Sequence, residues 1–233
     1  MRRVCQGRVV AVLGVDGWRG AWVGALLDGR TVRLLHLDDA AAVLAVPDVD
    51  VVAVDMPIGL SDDGVRTCDV AARDELRGRG AAGSVFPAPV RPVLAARDYA
   101  HARELSIAAT GGRSLSAQSF RLRRSIRDLD DALGDPSDPR VHEVHPELAF
   151  RALDERVRDP KASARGQGQR LRALQPVMDV LDALSEAPAG IPAVDALDAC
   201  AAAWSARRIA DGAAECVGDG SLDARGRPMR ICW

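Results

Sequence analysis

Four aspartates and one glutamate occupy positions where acidic side chains are uncommon in a folded core. Asp16 ends the apolar run VVAVLGVD, and Asp55 ends a second run, DVVAVD. Glu143 interrupts a short strand-like stretch, while Asp195 and Asp198 lie in VDALDA at the start of an Ala-rich segment. A carboxylate is seldom buried unless it is paired, hydrogen-bonded or bound to a metal. The five acids therefore predict a divalent-cation site and, through it, phosphoryl chemistry.

The spacing of the four aspartates indicates how they would meet. Asp16 and Asp55 hold equivalent places on two apolar strands. If these strands are parallel neighbours, both carboxylates emerge at the edge where open α/β sheets bind their ligands. Asp195 and Asp198 are three residues apart, so a helix presents them on one face. Like charges at this spacing repel each other unless a cation or a basic group neutralises them.

Four of the five acids also have a purely structural explanation, whereas Asp198 lies deeper in the helix and is harder to explain in this way. Asp16 and Asp55 each precede a turn signal, and either could hydrogen-bond its own backbone there. Asp195 falls in the first turn of the helix, where an acid complements the helix dipole. Glu143 could pair with Arg140 or a neighbouring histidine. The functional interpretation therefore depends on the aspartates taken together.

Apolar runs and turn signals predict a sheet of mixed direction beneath the acids. Asp28 and Gly29 form a strong hairpin signal between the second and third runs. Three strands in a meander, followed by a short helix and a buried strand, are typical of an α/β fold. The predicted strands are residues 9–15, 21–27, 31–37, 50–55 and 141–144.

The rest of the chain is predicted to be mainly helical. Residues 57–140 contain helical stretches around a Pro-rich loop, which we interpret as a helical insertion or cap within one domain, 1–233. The polar residues 159–170 (DPKASARGQGQR) predict a mobile loop. Its Lys161, Arg165 and Arg170 could sense phosphate, although simple solvation is the favoured interpretation. A last helix is expected over about 194–211, because Pro192 precedes it and Gly212 follows it. The C-terminal stretch, residues 214–233, indicates a hairpin.

Composition limits the function classes. The net charge of −2 excludes an overall basic field for nucleic acid or anionic lipid, so phosphate binding requires a local patch. Aromatic residues are 3% of the chain, which disfavours a platform that stacks bases. The five scattered cysteines disfavour a disulfide scaffold or structural zinc site and favour a reducing compartment. No apolar stretch reaches the length of a membrane span. We expect a cytoplasmic protein without membrane contact, of open oligomeric state.

Arginines are the candidates for a local phosphate-binding patch. Some lie in or near the insertion and others on the helix that follows. Arginines of that helix stand four residues before acids, which is ordinary helix-surface pairing and favours a solvated face instead. The candidates are Arg66, Arg73, Arg91, Arg121, Arg123, Arg124 and Arg127.

Seven motifs occur in an order that resembles a known family. They are GVDGWRGAWVG, VVAVDMPIGL, RTCDVAARDELRGRGAAGSVFPAPVRPV, LSAQSF, EVHPELAF, VDALDACAAAWSA and RGRPMRI. The chain resembles the bacterial and archaeal family called domain of unknown function 429, described as predicted RNase H-like nucleases. The resemblance spans nearly the whole chain. It implies an RNase H-like sheet in which three meandering strands precede parallel strands and helices.

The resemblance also implies roles for individual residues. Catalytic acids of RNase H-like proteins come from the first strand, the fourth strand and a late helix, the places filled here by Asp16, Asp55 and the pair Asp195/Asp198. The helical pair is most similar to that of the Holliday-junction resolvase branch. Glu143 is a catalytic candidate by its motif. Further cleft-lining candidates from the family motifs are Ser84, Ser116 and Gln118.

We therefore expect a metal-dependent nuclease. Asp16 would bridge two Mg²⁺ or Mn²⁺ ions roughly 3.5–4 Å apart, with Asp55 and Asp198 or Asp195 completing their ligands. The substrate, DNA or RNA, is left open. Two alternatives stay open as well. One is a nucleotide-binding or phosphotransfer protein of the actin-like ATPase class, in which GVDG lies near the nucleotide phosphates. The other is a catalytically inactive RNase H-like scaffold.

Overall fold

The computed structural model describes residues 11–77 and 81–233. Its centre is a five-stranded mixed sheet. The strands are β1 (Ala11–Trp18), β2 (Ala21–Asp28), β3 (Thr31–Leu37), β4 (Val49–Val54) and β5 (Val141–Glu143). They lie in the order β3-β2-β1-β4-β5. The first three pair antiparallel as a meander, while β4 pairs parallel with both β1 and β5.

Helices surround this sheet, and a small hairpin ends the chain. The helices are α1 (Ala40–Leu44), α2 (Thr67–Arg77), α3 (Tyr99–Thr110), α4 (Ala117–Ala132), α5 (Pro146–Leu153), α6 (Ala164–Leu174), α7 (Val180–Ser185) and α8 (Ala193–Ala210). The hairpin consists of β6 (Cys216–Val217) and β7 (Ile231–Cys232). Among the described residues, no helix combines the length and the apolar character needed to cross a bilayer.

Strand alternation divides the buried residues into two layers. Leu13 of β1 belongs to the same buried cluster as Ile126 of α4. Val12 of β1 and Ala53 of β4 belong to the cluster that contains the alanines of α8. Because side chains alternate along a strand, the acids that continue the rows of Val12 and Ala53 face the α8 side of the sheet. The sheet thus directs the carboxylates at the ends of β1 and β4 toward one helix.

Helix α8 approaches β1 unusually closely, and a glycine makes this approach feasible. A Cβ atom added to Gly14 would lie 1.9 Å from the backbone nitrogen of Ala203 and 2.2 Å from the carbonyl oxygen of Ala199. The alanines that α8 presents to the sheet are fully buried. This small-residue contact fixes the first turns of α8 beside the carboxyl end of β1.

Most of the predicted elements are confirmed. The mixed α/β fold, the meander, the fourth and fifth strands and the terminal hairpin are all present. The last helix runs over residues 193–210, within one residue of the expected bounds at each end. Residues 9 and 10 of the first predicted strand lie outside the described residues.

The prediction of a mobile loop over residues 159–170 is wrong for its second half, because α6 begins at Ala164. Ser163 caps this helix, its hydroxyl accepting a hydrogen bond from the Gly166 N–H at 3.0 Å. A Cβ atom on Gly166 would lie 2.1 Å from the Pro160 carbonyl oxygen. Gly166, within the polar stretch that suggested a loop, is therefore a close-packing residue of a helix.

The cysteines also depart from expectation. Cys216 and Cys232 form a disulfide that joins β6 to β7, whereas the cysteine pattern disfavoured a disulfide scaffold. The hairpin register places these two residues directly opposite each other. Their spacing of 16 residues carries no signal of that pairing. Cys68 and Cys200 are free and buried.

Candidate functional site

The carboxyl ends of β1 and β4 and the first turns of α8 border a cavity of about 390 Å³, here called the acidic cavity. All four predicted aspartates line it: Asp16, Asp55, Asp195 and Asp198. The connection from α5 to α6 and the first turn of α5 complete the acidic wall. The insertion supplies an apolar wall opposite, including Val85, Phe86 and Leu122.

The strand register sets Asp16 beside Asp55. Val15 of β1 is paired with Val54 of β4, so the next residues in register are the two aspartates. The Asp55 N–H donates to the Val15 carbonyl oxygen at 2.8 Å, which continues the parallel ladder past the end of β4. The Gly17 N–H donates to Asp16 Oδ1 at 2.8 Å, the local turn-like bond expected for an aspartate before glycine. Asp16 therefore combines that local bond with a place at the shared sheet edge.

Burial and mutual repulsion shift the acids of the acidic cavity in the same direction. Burial raises the pKa of Asp16 well above its ordinary value, and the neighbouring Asp55 and Asp198 raise it further. Burial likewise raises the pKa of Asp55 to about 7, with Lys161 opposing the shift and Asp198 adding to it. Burial is also the main reason why the pKa values of Asp195 and Asp198 are raised. The cluster therefore favours binding of a proton or another cation.

Lys161 is the basic residue that contacts these aspartates directly. Its Nζ donates to Asp198 Oδ2 at 2.6 Å, and about half of its side chain remains exposed (49%). Burial lowers the pKa of Lys161, but the carboxylates of Asp198, Asp55 and Asp16 outweigh this and raise it. Arg19 and Arg170 also act on Asp195 and Asp198, respectively, and oppose the rise in their pKa values, but Arg170 is itself paired with Glu147. Acidic groups therefore still outnumber basic groups among the described residues of the cluster.

Two carboxylate oxygens on the cavity wall are buried and have no hydrogen-bond partner among the described residues. One is Asp198 Oδ1, on a residue that is 1% exposed, and the other is Glu147 Oε2. The second oxygen of Glu147 accepts a hydrogen bond from Arg170. A buried oxygen left unpaired costs about 1–3 kcal/mol, more when it is charged. These two oxygens are positions that a cation would stabilise.

The donor chemistry of the acidic cavity fits a hard divalent cation, because Mg²⁺ and Mn²⁺ prefer carboxylate oxygens. Excess charge and unpaired oxygens point the same way. In residues 11–77 and 81–233, however, no three Asp, Glu, His or Cys side chains are already oriented to hold one ion. Metal binding therefore requires that the carboxylates turn toward a common point and that Asp198 exchange Lys161 for the ion.

Glu143 lines the same cavity but is paired with an arginine, although burial still raises its pKa to about 7. Arg66 Nη1 and Nη2 donate to its two oxygens at 2.7 Å each, and the Ile58 N–H donates to Oε2 at 2.6 Å. Arg66 also pairs with Asp69 and is 3% exposed. This geometry gives Glu143 and Arg66 a structural explanation, so we leave both out of the proposed chemistry.

Most of the other predicted substrate-binding residues lie away from the acidic cavity. Arg73 donates to the Val85 carbonyl oxygen at 2.8 Å, and Arg91 is paired with Asp130 and Asp223. Ser116 caps α4, and Gln118 is exposed on the same helix. Ser84 does line the cavity, although its hydroxyl donates to the Ala81 carbonyl oxygen at 2.8 Å.

Glu147 is a site residue that the sequence did not single out, and the sequence suggests Lys161 only as a phosphate-sensing loop residue, not as a partner of the aspartates. Glu147 occupies the first turn of α5, where an acid is adequately explained by the helix dipole. Lys161 stands in a polar stretch that suggested simple solvation. The available signal was that Lys161 is the only lysine in the chain and Glu147 belongs to the motif EVHPELAF. Only the packing of α5 and its following connection against α8 reveals their position.

A comparison with curated proteins and with solved structures gave no match. The model of one family, described as a protein of unknown function (DUF429), matches residues 14–222. The matched range includes every aspartate of the acidic cavity, together with Glu147 and Lys161. The chain therefore belongs to the DUF429 family.

Proposed function

We propose that this protein is a metal-dependent nuclease that hydrolyses phosphodiester bonds with Mg²⁺ or Mn²⁺. The observation that carries the proposal is the excess of buried carboxylates at one sheet edge. Asp16, Asp55 and Asp198 come from three different elements, and one lysine is the basic side chain bonded to them. Buried like charges are costly, and ionisable groups perturbed in this way cluster at functional sites.

The sheet supports the RNase H-like part of the proposal. The resemblance implied three meandering strands followed by parallel strands, with acids on the first strand, the fourth strand and a late helix. The strand order β3-β2-β1-β4-β5 and the places of Asp16, Asp55 and Asp198 agree with that expectation. Because fold alone does not carry function, the acidic cavity is the stronger support.

The four aspartates would have different positions around the bound metal. Asp16 would be the central ligand, since both Asp55 and Asp198 act on its carboxylate. Asp55 and Asp198 would hold the flanking positions, and the half-buried Asp195 would complete them from the rim. When bound, divalent ions activate water and stabilise the leaving oxygen of a phosphodiester.

Lys161 and His145 have separate roles in this proposal. Once a cation occupies Asp198, the half-exposed ammonium of Lys161 becomes free to bind a substrate phosphate. His145 is held in place instead, because its Nδ1 accepts a hydrogen bond from the Glu147 N–H at 3.2 Å. Burial lowers the pKa of His145, which keeps the ring neutral and suited to positioning α5.

The test is cleavage of labelled DNA and RNA, single-stranded and duplex, with Mg²⁺, Mn²⁺ or EDTA. Wild type should cleave only with metal, and Asp16→Asn should lose at least ~100-fold in rate, equivalent to ~2.7 kcal/mol. Asp182→Asn is the matched control, because Asp182 is an exposed aspartate of α7. Cleavage by Asp16→Asn at the wild-type rate contradicts the proposal. Tight Mg²⁺-dependent ATP binding without any cleavage would replace it with the nucleotide-binding alternative.

A further inference from the structure

We infer that a groove lined by arginines leads from the acidic cavity and binds the sugar-phosphate backbone of single-stranded nucleic acid. The groove lies along the connection between α5 and α6 and along α6 itself. We call it the arginine groove, and define it by Arg156, Arg158, Arg165 and Arg172. The inference rests on the proposed function, for which it names the substrate class.

The first observation is a local reversal of charge. The whole chain has a net charge of −2, but residues 151–172 contain seven basic and three acidic residues. A local basic patch of this kind is what an acidic protein needs to bind phosphates. The patch lies outside the helix α4 arginines that the sequence suggested.

The second observation is continuity between three cavities. A cavity of about 270 Å³ shares Ser84, Glu147 and Lys161 with the acidic cavity. A third, of about 420 Å³, shares Arg158 and Asp159 with the second. The path thus runs from the aspartates past Lys161 to the arginine groove. A strand lying in the groove would be led toward the metal-binding carboxylates.

Hydrogen bonds fix the backbone of the arginine groove, while its guanidinium groups stay exposed and can bind phosphates. Gln169 of α6 accepts from the N–H groups of Arg158 and Asp159 at 3.0 Å each, and donates to Asp159 Oδ2 at 2.6 Å. This clamps the connection onto the helix. Arg156 and Arg165 make ion pairs while remaining 76% and 80% exposed. Exposed pairs contribute little, so phosphates can replace the carboxylates at small cost.

The chemistry of the path favours a single strand. Phe86 lies at the acidic cavity with 39% of its surface exposed, where an unpaired base could stack on it. Contacts to phosphates position a strand without selecting its sequence. We therefore expect binding that is salt-dependent and largely independent of sequence.

The test is fluorescence anisotropy of a labelled 20-nucleotide deoxythymidine strand with the full chain in EDTA, over a range of salt concentrations. The triple variant Arg158→Gln/Arg165→Gln/Arg172→Gln should raise Kd at least ~10-fold. It should also reduce the slope of log K against log salt by ~2, since each phosphate contact contributes about 0.7. The control, Arg121→Gln/Arg124→Gln/Arg127→Gln, removes the same charge from exposed positions of α4 and should bind like wild type.

Several outcomes overturn the inference: equal weakening by the two triple variants, tighter binding of a matched duplex, or no binding by wild type. Far-ultraviolet circular dichroism and thermal unfolding check that each variant is folded. Because binding is measured without metal, its result is separate from cleavage. Binding by wild type and by Asp16→Asn, with no cleavage by either protein, would reject the nuclease and keep the groove. Metal-dependent cleavage by a protein that fails to bind the single strand would reject the arginine groove and keep the nuclease.

Discussion

Buried carboxylates occur in two regions of this molecule, and they are neutralised differently. On the insertion side, arginines meet the acids in two networks: Arg66 with Asp69 and Glu143, and Arg91, Arg225 and Arg227 with Asp130 and Asp223. Within the part of the chain that the structure describes, a single ammonium group, that of Lys161, is bonded to the aspartates of the acidic cavity. In the first region, called the matched region, the chain's own arginines balance the buried acids. In the second, called the unmatched region, acidic groups outnumber basic groups.

The pKa values express this contrast only in part. Burial would raise the pKa of Asp223, but the N–H groups of Arg227, Leu60 and Arg225, together with Arg91, lower it. Burial raises the pKa of Asp55 to about 7, with Lys161 opposing the shift. Burial also raises the pKa of Glu143 to about 7, although Arg66 opposes that shift. Both arrangements can exist in a folded protein, but only the aspartates of the acidic cavity would be stabilised further by binding an external cation. The aspartates of the acidic cavity, and not all buried acids, are therefore the functional candidates.

Breaking the matched region should produce the largest loss of stability. Arg66→Leu leaves Glu143 and Asp69 buried without their partner, which should lower the free energy of unfolding by ~3–5 kcal/mol. Urea unfolding at pH 7 measures this loss. Arg124→Leu, at an exposed position of α4, is the control and should change stability by less than ~0.5 kcal/mol. A loss below ~1 kcal/mol for Arg66→Leu would mean that the network is not structural.

Neutralising an acid in the unmatched region should not lower the free energy of unfolding. Asp16→Asn removes one of several repelling charges, so in EDTA at pH 8 it should leave the free energy of unfolding unchanged or raise it by ~1 kcal/mol. Asp130→Asn, in the matched region, should lower it. Parallel urea titrations of both variants compare the regions directly. If Asp16→Asn destabilises the protein as much as Asp130→Asn does, the two regions do not differ.

A smaller effect should appear in the pH dependence of the cation-free protein. The pKa of Asp55 is raised to about 7 in the folded chain, so between pH 6.5 and 8.5 the folded state holds more protons than the unfolded state. Stability must therefore fall as pH rises through this window, lowering Tm by ~2–3 °C. His142 and His145 have lowered pKa values and act in the opposite direction, but mainly at lower pH.

Calorimetry at several pH values in EDTA measures this slope. Asp55→Asn should reduce it by about half without abolishing it, because burial also raises the pKa of Glu143 to about 7. The exposed control Asp182→Asn should leave it as in wild type. A Tm that rises between pH 6.5 and 8.5 in wild type would contradict the raised pKa.

The sequence allowed prediction of the elements that carry the four aspartates. Apolar runs ending in Asp16 and Asp55 are local signals, and Pro192 and Gly212 mark the ends of α8 locally as well. The sequence does not specify the pairing of β1 with β4. The parallel register of these strands places the two aspartates side by side. Local patterns therefore predicted which acids lie at strand and helix ends, and only the strand pairing shows that they lie close together.

What the sequence did not show depends on packing between distant segments. Lys161 is bonded to Asp198, 37 residues away, and Glu143 is paired with Arg66, 77 residues away. Neither pairing leaves a trace in spacing or composition. Arg66 and Arg91 had the right chemistry for binding phosphates, but their guanidinium groups are engaged with buried acids. Charge type is visible in a sequence, whereas the partner that neutralises it is not.

The most direct test of the central claim is anomalous diffraction from crystals soaked in Mn²⁺. The account predicts an anomalous peak bounded by Asp16, Asp55 and Asp198, with the Lys161 ammonium moved away from Asp198. Crystals of Asp16→Asn should lose or weaken this peak, while Asp182→Asn should retain it. If Lys161 remains bonded to Asp198 and no Mn²⁺ enters the acidic cavity at saturating concentration, the excess of carboxylates does not serve to bind a metal.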